Sequence, residues 1–377
     1  MFPVSLLVKP VSGACDLRCR YCFYADEMKR RETPSYGTMT PATLENMLRR
    51  VFGVRVSEVS LAFQGGEPTL AGLEFFREVV HLTRQYNARG VPVQLSLQTN
   101  GMHLNEEWAE FFARHHFLIG LSLDGVQPLH DSYRIDAAGQ GTYETVMKAA
   151  ELLRAHGVEF NVLSVVTAQA AQRAGETYRF FRENGFDHQQ YIPCLDPMGE
   201  ERGGESYSLL PQQYEAFLKE QFTLWYSDIM NGKFVYHRYF DNLVGMLLRH
   251  PPESCGMLGE CSRQLLVEAD GRVYPCDFYA LDAYCLGNLN ENSLKELERR
   301  RDELGFIRKS QKVEPECHRC RWYPLCRGGC RRDRERADGT LGMNYYCSAY
   351  QGFFRYAIAG LEQIAQLVQA TESKSHR

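Results

Sequence analysis

Three cysteines near the amino terminus are the residues whose spacing points most directly to chemistry. Cys15, Cys19 and Cys22 follow one another as C-x3-C-x2-C. Three thiolates on one tight loop can hold three irons of a four-iron cube and leave the fourth iron open, which is what catalysis requires. The spacing alone leaves two alternatives open: a structural zinc site that lacks one ligand, and a redox pair with a spare thiol.

A second group of cysteines occupies the carboxy-terminal third of the chain, and its eight thiols are enough for two complete four-ligand sites. Its members are Cys255, Cys261, Cys276, Cys317, Cys320, Cys326, Cys330 and Cys347. Taken alone, this set fits zinc and iron–sulfur equally. A disulfide framework is not expected, since it needs an oxidising compartment and usually a small domain. The two cysteines outside both groups, Cys194 and Cys285, are expected to be plain buried thiols.

The motif around the first three cysteines resembles the signature of the radical S-adenosylmethionine (SAM) superfamily, in which Tyr21 stands at the aromatic position. In that family the open iron binds SAM, and SAM cleavage gives a 5′-deoxyadenosyl radical that removes a hydrogen atom from the substrate. The resemblance is closest to the anaerobic sulfatase-maturating enzymes. It covers nearly the whole chain, through the segments SLLVKP, CFY, FQGGEPTLAG, SLQTNG, YPCDFY, RGGCRR and NYYC.

This resemblance implies a SAM site built from Tyr21, Gly65, Gly66, Glu67, Ser122, Asp124 and Arg134. Two adjacent glycines let the backbone approach a ligand closely, and the Glu67 carboxylate can offset the cationic amine of SAM. The planar guanidinium of Arg134 suits a carboxylate. The alternatives for these positions are an ordinary turn and ordinary polar residues at strand ends.

The carboxy-terminal cysteines resemble the SPASM extension of radical SAM enzymes, so three [4Fe–4S] clusters and SAM are the expected cofactors. The resemblance implies that Cys15, Cys19 and Cys22 hold the SAM cluster. It assigns the first auxiliary cluster to Cys255, Cys261, Cys276 and Cys330. It assigns the second auxiliary cluster to Cys317, Cys320, Cys326 and Cys347.

The implied reaction is oxidation of a Cys or Ser side chain in a sulfatase to Cα-formylglycine, which makes the chain a radical SAM oxidoreductase. After Cβ hydrogen abstraction, the substrate must lose a proton and an electron. The resemblance assigns Asp277 as the base, and a nearby cluster would raise its pKa. Tyr24 and Gln64 resemble substrate-positioning residues. Their alternatives are a turn carboxylate, a core aromatic and a strand-end amide.

Two other functions compete with sulfatase maturation. One is a radical SAM/SPASM enzyme that makes a thioether or carbon–carbon crosslink in a peptide. The other is a non-catalytic electron-transfer protein or zinc scaffold. The expected partners are an unfolded or nascent sulfatase, recognised at Cys or Ser followed by x-Pro-x-Arg or x-Ala-x-Arg, and an electron donor such as flavodoxin or ferredoxin.

Composition argues against nucleic acid and membranes as partners. The net charge is −4, and no apolar run approaches the ~20 residues of a membrane span. The first residues, MFPVSLLVKP, lack a basic leader, so a cytoplasmic protein is expected. The basic run from Arg327 to Arg336 is expected to be a solvated face or to offset the negative charge of a cluster.

The chain alternates strand-like and helix-like segments up to about residue 196. Strands are expected near 5–10, 59–64, 93–98, 118–123, 159–166 and 188–194. Helices are expected near 41–52, 73–87, 105–115, 142–156 and 175–184, with Thr40 and Asn105 as amino-terminal caps. Helices are also expected near 210–231 and 239–249, and Asp270-Gly271 marks a hairpin.

This alternation predicts an α/β fold with βα units around a parallel sheet, for which a partial (β/α)6 barrel is preferred. The expected domains are the barrel over 1–235, a SPASM-type auxiliary cluster domain with its preceding helix over 236–350, and a carboxy-terminal helix and tail over 351–377.

Overall fold

The structure is a computed structural model that describes residues 1–375. It divides into two compact units. Unit 1 comprises Met1–Leu123, His130–Asn161 and Arg263–Phe306, and unit 2 comprises Asp124–Leu129, Val162–Ser262 and the described residues from Ile307 onward. The domain boundaries at residues 235 and 350 stay a prediction. The cysteine-rich region contributes Arg263–Phe306 to unit 1, the unit that holds the first strand. The last two residues of the predicted tail, 376 and 377, lie outside the described part of the chain.

The strands are β1 (Phe2–Val8), β2 (Val56–Phe63), β3 (Val93–Thr99), β4 (Phe117–Ser122), β5 (Phe160–Val166), β6 (His188–Pro193), β7 (Tyr236–His237), β8 (Leu265–Val267), β9 (Arg272–Tyr274) and β10 (Gly287–Asn288). In unit 1, β1 pairs with β2, β2 with β3 and β3 with β4, all parallel. In unit 2, β5, β6 and β7 pair in parallel in that order. The predicted α/β fold with parallel strands is confirmed.

The helices are α1 (Phe23–Lys29), α2 (Pro41–Phe52), α3 (Leu73–Tyr86), α4 (Glu106–His115), α5 (Gln127–Tyr133), α6 (Tyr143–Ala155), α7 (Ala168–Gln172), α8 (Ala174–Glu183), α9 (Pro211–Met230), α10 (Arg238–Leu247), α11 (Leu294–Leu304), α12 (Phe306–Ser310), α13 (Pro315–Arg319), α14 (Tyr323–Cys326) and α15 (Cys347–Ser375). Both predicted caps are confirmed. The Thr40 hydroxyl accepts the Thr43 N–H at 3.1 Å, and the side-chain oxygen of Asn105 accepts the Trp108 N–H at 3.1 Å.

The predicted hairpin forms from β8 and β9, and its position extends the sheet of unit 1. β8 lies parallel to β1, with Leu6 opposite Leu265 and Val8 opposite Val267. β9 runs antiparallel to β8, and β10 runs antiparallel to β9. This three-stranded addition places residues 276–306 within the unit that also carries the first cysteine loop.

The core of unit 1 is rich in aromatic side chains. Phe63, Phe76 and Phe117 are fully buried and meet at ring centroid distances of 5.2–6.5 Å. Interlocked aromatic rings of this kind bury a large apolar area and fix strands against helices. These rings pack the carboxyl end of β2 and the amino end of β4 against α3. Among the residues that the structure describes, no helix is long and apolar enough to cross a membrane.

Unit 2 contains a buried histidine with an unusual environment. The His237 ring stacks on Phe240 at 3.8 Å and on Tyr191 at 4.9 Å. Within the described part of the chain, neither ring nitrogen has a hydrogen-bond partner. Burial lowers the pKa of His237 from 6.5 to about 3, because the imidazolium would be desolvated there.

The free energy of unfolding of unit 2 should therefore decrease as the pH is lowered. His237→Phe should make that decrease smaller. Since the folded pKa lies below the unfolded value, the unfolded chain binds a proton first, and stability is lost as pH falls from 6.5 towards 3. Between pH 7.5 and 5.5 the native chain should lose about 1.4 kcal/mol more than the variant. Urea unfolding of both anaerobically purified proteins measures this difference. Equal losses would mean that His237 is hydrated or paired.

Candidate active site

The first cysteine loop leaves the carboxyl end of β1 and is held by backbone contacts within unit 1. The Arg18 and Arg20 N–H groups donate to the carbonyl oxygens of Ile135 and Tyr133, at 2.7 and 3.1 Å. The Cys15 sulfur accepts the Leu17 N–H at 3.4 Å. Burial raises the pKa of the Cys15 thiol to about 12. A thiol in such a setting becomes a ligand when a metal supplies the compensating positive charge, so the loop suits a cluster.

The Gly-Gly-Glu turn lies directly against this loop. Glu67 N–H donates to the Ala14 carbonyl at 2.8 Å, next to Cys15. Gly66 has φ +58°, and a Cβ there would lie 2.2 Å from the Ala14 carbonyl oxygen. Only glycine meets both demands at this point, since it tolerates positive φ and carries no Cβ. The two glycines predicted for the SAM site are thus brought to the cysteine loop.

The Glu67 side chain is 1% exposed and organises the turn. Its carboxylate accepts the Thr99 hydroxyl at 2.8 Å, the Thr69 hydroxyl and the Asn100 N–H, the last two at 2.7 Å. Burial raises the pKa of Glu67, and these hydrogen bonds oppose that shift. The carboxylate is therefore a structural anchor between β2 and β3, and its predicted contact with the SAM amine stays a prediction.

Asn100 is a member of this site that the sequence reasoning did not single out. Its side-chain amide donates to Asp16 at 2.7 Å and lies 3.9 Å from the Cys15 sulfur. It directly follows β3, at the same edge of the sheet as Gln64 after β2. Its position directly after a predicted parallel strand could have indicated Asn100 as a site residue, since the carboxyl ends of parallel strands meet at one edge of the sheet.

The other predicted SAM contacts fall into two places. Tyr21 and Arg134 are brought together in unit 1, where the guanidinium lies 5.6 Å from the ring centroid. Ser122 ends β4 in the same unit and is 5% exposed. Asp124 belongs to unit 2, where its carboxylate accepts the Val165 N–H at 2.9 Å. Their roles in SAM binding stay predictions.

The three predicted catalytic side chains form one hydrogen-bonded group, called here the Tyr24–Gln64–Asp277 trio. The Gln64 side-chain amide donates to the Tyr24 hydroxyl oxygen at 2.9 Å and to the Asp277 carboxylate at 2.9 Å. These residues come from α1, from the end of β2 and from the turn after β9. With Gln64 as the donor, the Tyr24 hydroxyl keeps its own proton for another acceptor.

Burial dominates the electrostatics of the trio. It raises the pKa of Asp277 and, together with the charge of Asp277, raises the pKa of Tyr24 well above its ordinary value. A carboxylate whose charged form is poorly solvated binds a proton more readily than one in water. Asp277 is thus equipped to take up a proton, and Tyr24 remains a neutral hydrogen-bond donor.

Four cysteines of unit 2 line a single cavity: Cys317, Cys320, Cys326 and Cys347. Burial raises the pKa of Cys317, and the neighbouring Cys347 and Cys320 raise it further. Because all four thiols line the same cavity, they are placed to share one cluster. Within residues 1–375, no three Cys, His, Asp or Glu side chains converge on a single metal-ion position. Ligands of a cube bind different irons, so their sulfurs stand farther apart than ligands of one ion.

The remaining cysteines of the second group divide between the units. In unit 2, a Cβ on Gly256 would lie 3.5 Å from the Cys330 Cβ, which places Cys255 beside Cys330. Burial raises the pKa of Cys330, and Cys255 and Cys261 contribute to this shift. Cys276 belongs to unit 1. The assignment of these four thiols to one cluster stays a prediction.

The cysteines outside both groups differ from each other. Cys194 is 3% exposed, as expected. For Cys285 the prediction is wrong, since this thiol is exposed. The reason is its position before β10, the short strand at the edge of the sheet in unit 1, where no further strand covers it.

The basic run near Cys330 is mostly buried. Arg331, Arg332 and Arg334 are 3–7% exposed, so a solvated face is the wrong interpretation for these three. Arg334 donates to the carbonyl oxygens of Ser310 and Lys312. Buried guanidinium groups beside thiol ligands fit the alternative prediction, that the run offsets cluster charge.

Comparisons with known proteins place this site in a class. Residues 10–181 match the sequence model of the radical SAM superfamily, and residues 255–321 match that of SPASM, an iron–sulfur cluster-binding domain. The fold and the site therefore define a radical SAM enzyme with an iron–sulfur extension. Iron–sulfur clusters and SAM, the expected cofactors, are those that these two domains imply.

Whole-chain relatives narrow the class to a family. The chain is 46% identical to the cysteine-type anaerobic sulfatase-maturating enzyme of Clostridium perfringens (strain 13 / Type A), over 98% of this chain and 100% of that protein. The serine-type anaerobic sulfatase-maturating enzyme of Bacteroides thetaiotaomicron is 31% identical over 94% of this chain and 89% of that protein. A solved structure, native anSMEcpe with bound AdoMet and Cp18Cys peptide, matches with a TM-score of 0.93 and 46% identity, covering 97% of this chain and 99% of that one.

This chain belongs to the anaerobic sulfatase-maturating enzymes. The predicted family resemblance, the radical SAM enzyme class and the fold class, an α/β radical SAM part followed by a SPASM domain, are confirmed.

The steric role of Gly66 leads to a first prediction for the site. Gly66→Ala should weaken SAM binding by about tenfold or more, because the new methyl group would push the Ala14 carbonyl, and with it Cys15, away from the glycine turn. Gly72→Ala is a matched control: it has φ +80°, but a Cβ there meets nothing within 4 Å. Anaerobic equilibrium binding of SAM measures the effect. Equal affinities in the two variants would refute the role of this contact.

The cavity in unit 2 leads to a second prediction. The native protein should hold about twelve irons, and Cys317→Ala should hold about four fewer. Cys285→Ala, which removes an exposed thiol outside both groups, should match the native count. Iron and sulfide analysis after anaerobic reconstitution tests this, and an unchanged iron content in Cys317→Ala would contradict the ligand set.

Proposed function

We propose that this chain oxidises a cysteine or serine side chain of a sulfatase to Cα-formylglycine. The observation that carries the proposal is the Tyr24–Gln64–Asp277 trio, in which one amide holds a buried carboxylate and a tyrosine hydroxyl together at 2.9 Å each. The trio lies in the same unit as the cysteine loop. Oxidation of a side chain after hydrogen removal needs a proton acceptor close to the radical source.

The residues that would hold the cofactors are those set out above. Cys15, Cys19 and Cys22 would ligate the SAM cluster, and the two sets of four later cysteines would ligate the auxiliary clusters. When bound, the cluster and SAM together supply a 5′-deoxyadenosyl radical that removes a Cβ hydrogen. Gly65, Gly66 and the Ala14 backbone would form the surface against which SAM lies.

The protein side of the reaction follows from the trio. After a hydrogen atom leaves the target Cβ, an Asp277 oxygen would take the thiol proton. A bound auxiliary cluster would supply the acceptor for the one electron that the substrate must also lose. The C–S bond becomes a double bond, and water then replaces sulfur to give the aldehyde and hydrogen sulfide. Gln64 keeps the Asp277 carboxylate in place, and Tyr24 donates to the substrate backbone or side chain.

A cysteine-type substrate is proposed first. The named cysteine-type relative is 46% identical, whereas the serine-type relative is 31% identical. The solved neighbour was obtained with a peptide named Cp18Cys. We propose as substrate a sulfatase segment in which Cys or Ser precedes x-Pro-x-Arg or x-Ala-x-Arg. A flavodoxin or ferredoxin is the proposed electron donor, and the cytoplasm the proposed location.

Peptide crosslinking is the competing radical reaction. It shares the clusters and SAM but forms a new bond within the substrate in place of a carbonyl. A target peptide incubated anaerobically with the enzyme, SAM and a reductant separates the two by mass spectrometry. The proposal predicts an aldehyde that reacts with hydrazines; a mass loss of two hydrogens without aldehyde reactivity would favour crosslinking.

Replacement of the proposed base tests the assignment of Asp277. Asp277→Asn should lower aldehyde formation by about a hundredfold or more, the range of a lost general base, while 5′-deoxyadenosine is still produced. Asp282→Asn is the control, since Asp282 lies five residues away and its side chain accepts the exposed Glu32 N–H at 2.9 Å. Product and deoxyadenosine are quantified in the same reaction. Native-like aldehyde yield from Asp277→Asn would exclude this residue as the base.

A further inference from the structure

Unit 1 buries four charged side chains in one group, called here the Lys9 network: Lys9, Glu27, Arg31 and Glu268. Lys9 and Glu268 are 0% exposed, and Glu27 and Arg31 are 5% exposed. The Lys9 ammonium lies 2.7 Å from Glu268 and 3.3 Å from Glu27. Arg31 reaches the same two carboxylates at 2.6 and 2.8 Å. The network thus contains two basic and two acidic side chains, and burial raises the pKa of one of the acids, Glu27, to about 7.

Such a network needs a reason beyond stability. Taking four charges out of water is costly, and well-packed apolar side chains often stabilise a core as well as a buried ion pair does. What ion pairs add is a fixed geometry, because each charge has one low-energy position. The question is therefore which neighbouring groups this geometry fixes.

Two contacts connect the network to Asp277 and Tyr24. Glu27 accepts the Ala280 N–H at 2.8 Å, and Ala280 ends the short turn Asp277–Tyr279. The network thereby pins the turn that carries the proposed base. Glu27 also lies three residues after Tyr24 on α1, so both side chains share one face of the helix. The Lys9 ammonium lies 5.0 Å from the centroid of the Tyr24 ring.

A third contact connects Lys9 to Gln64. The Lys9 side chain passes so close to Gly65 that a Cβ there would lie 2.4 Å from the Lys9 Cγ. Gln64 directly precedes Gly65, and its N–H donates to the carbonyl of Val8, which precedes Lys9. The same lysine therefore supports the backbone that carries Gln64 and contacts the ring of Tyr24. Every member of the trio rests on the Lys9 network.

We propose that Lys9 is a positioning residue, whose ammonium, clamped by Glu27 and Glu268, holds Tyr24, Gln64 and Asp277 in the arrangement needed after hydrogen abstraction. This inference rests on the proposed function. Its distinctive consequence is coupling: without Lys9, SAM is still cleaved, but fewer cleavage events end in oxidised substrate. A misplacement of about 1 Å is enough to cost orders of magnitude in such a step.

The test compares Lys9→Met with the double variant Lys9→Met/Glu268→Gln. Methionine keeps the length of the stem and removes the charge. The double variant also removes the negative charge of Glu268, so that Arg31 and Glu27 remain as one ion pair. No buried carboxylate is then left without a positive partner, whose absence would destabilise the folded protein. Arg77→Met is the matched control, because Arg77 makes two ion pairs on the surface of unit 1.

The measured quantity is aldehyde formed per 5′-deoxyadenosine, with iron content and SAM affinity as checks of folding. For the double variant we expect native iron content and SAM affinity, and a ratio lower by at least about tenfold. A purely structural role would lower both products in proportion to the folded fraction and leave the ratio unchanged. An unchanged ratio in either folded variant would overturn the proposal.

The native enzyme distinguishes this failure from failure of the proposed function. If the native enzyme forms no aldehyde from the target peptide, the proposed reaction itself is wrong. If it forms the aldehyde and the Lys9 variants keep the native ratio, only the role of Lys9 is lost. A drop in the ratio for the Arg77→Met control would also overturn the proposal, since the effect would then not be specific to Lys9.

Discussion

The parallel pairing of β8 with β1 is the constraint on which the site depends. β1 leads into the first cysteine loop, and β8 opens the hairpin that leads to Cys276 and Asp277. The Lys9 N–H continues the ladder by donating to the Val267 carbonyl at 2.8 Å. Because of this pairing, a segment more than two hundred residues away contributes its carboxylate to a group that includes Tyr24 and Gln64. Radical generation and proton removal can then share one rigid unit.

Much of the fold could be predicted from the sequence because the signals are local. The caps Thr40 and Asn105, the strand–helix alternation and the Asp270-Gly271 turn depend on neighbouring residues only. The pairing of β8 with β1 could not be predicted in this way. Two strands of three residues each are too short for their hydrophobic pattern to indicate which other strand pairs with them. The parallel pairing with β1 is determined by tertiary packing.

The candidate site shows the same division. The two groups of cysteines were found through their residue type and spacing, whereas the roles of the glycines and of Asp277 came from the family resemblance. The Lys9 network was missed, although Lys9 lies in a quoted motif, because nothing in a single lysine or glutamate shows that it will be buried. The prediction that Cys285 is buried was wrong for a related reason. Free cysteines are usually buried, and this one is exposed because it lies beside β10 at the edge of the sheet. Burial is a property of the whole fold.

Burial is also what prepares the site chemically. It raises the pKa of the thiols of Cys15 and Cys326 and of the carboxyl of Asp277. Such thiols are stabilised as thiolates by a nearby positive charge, and such a carboxylate binds a proton readily. Iron would supply the charge at the thiols, and the substrate would supply the proton at Asp277. In the Lys9 network, by contrast, each carboxylate lies within 3.3 Å of both Lys9 and Arg31, so the buried charged groups have partners and fix geometry.

Hydrogen transfer from the target residue is the most direct test of the central claim, that the site oxidises a side chain at Cβ. A target peptide whose cysteine carries deuterium at both Cβ positions would be incubated anaerobically with the enzyme, SAM and a reductant. We expect 5′-deoxyadenosine that contains one deuterium, together with an aldehyde that retains the other. Deoxyadenosine without deuterium, formed while the peptide is oxidised, would contradict it.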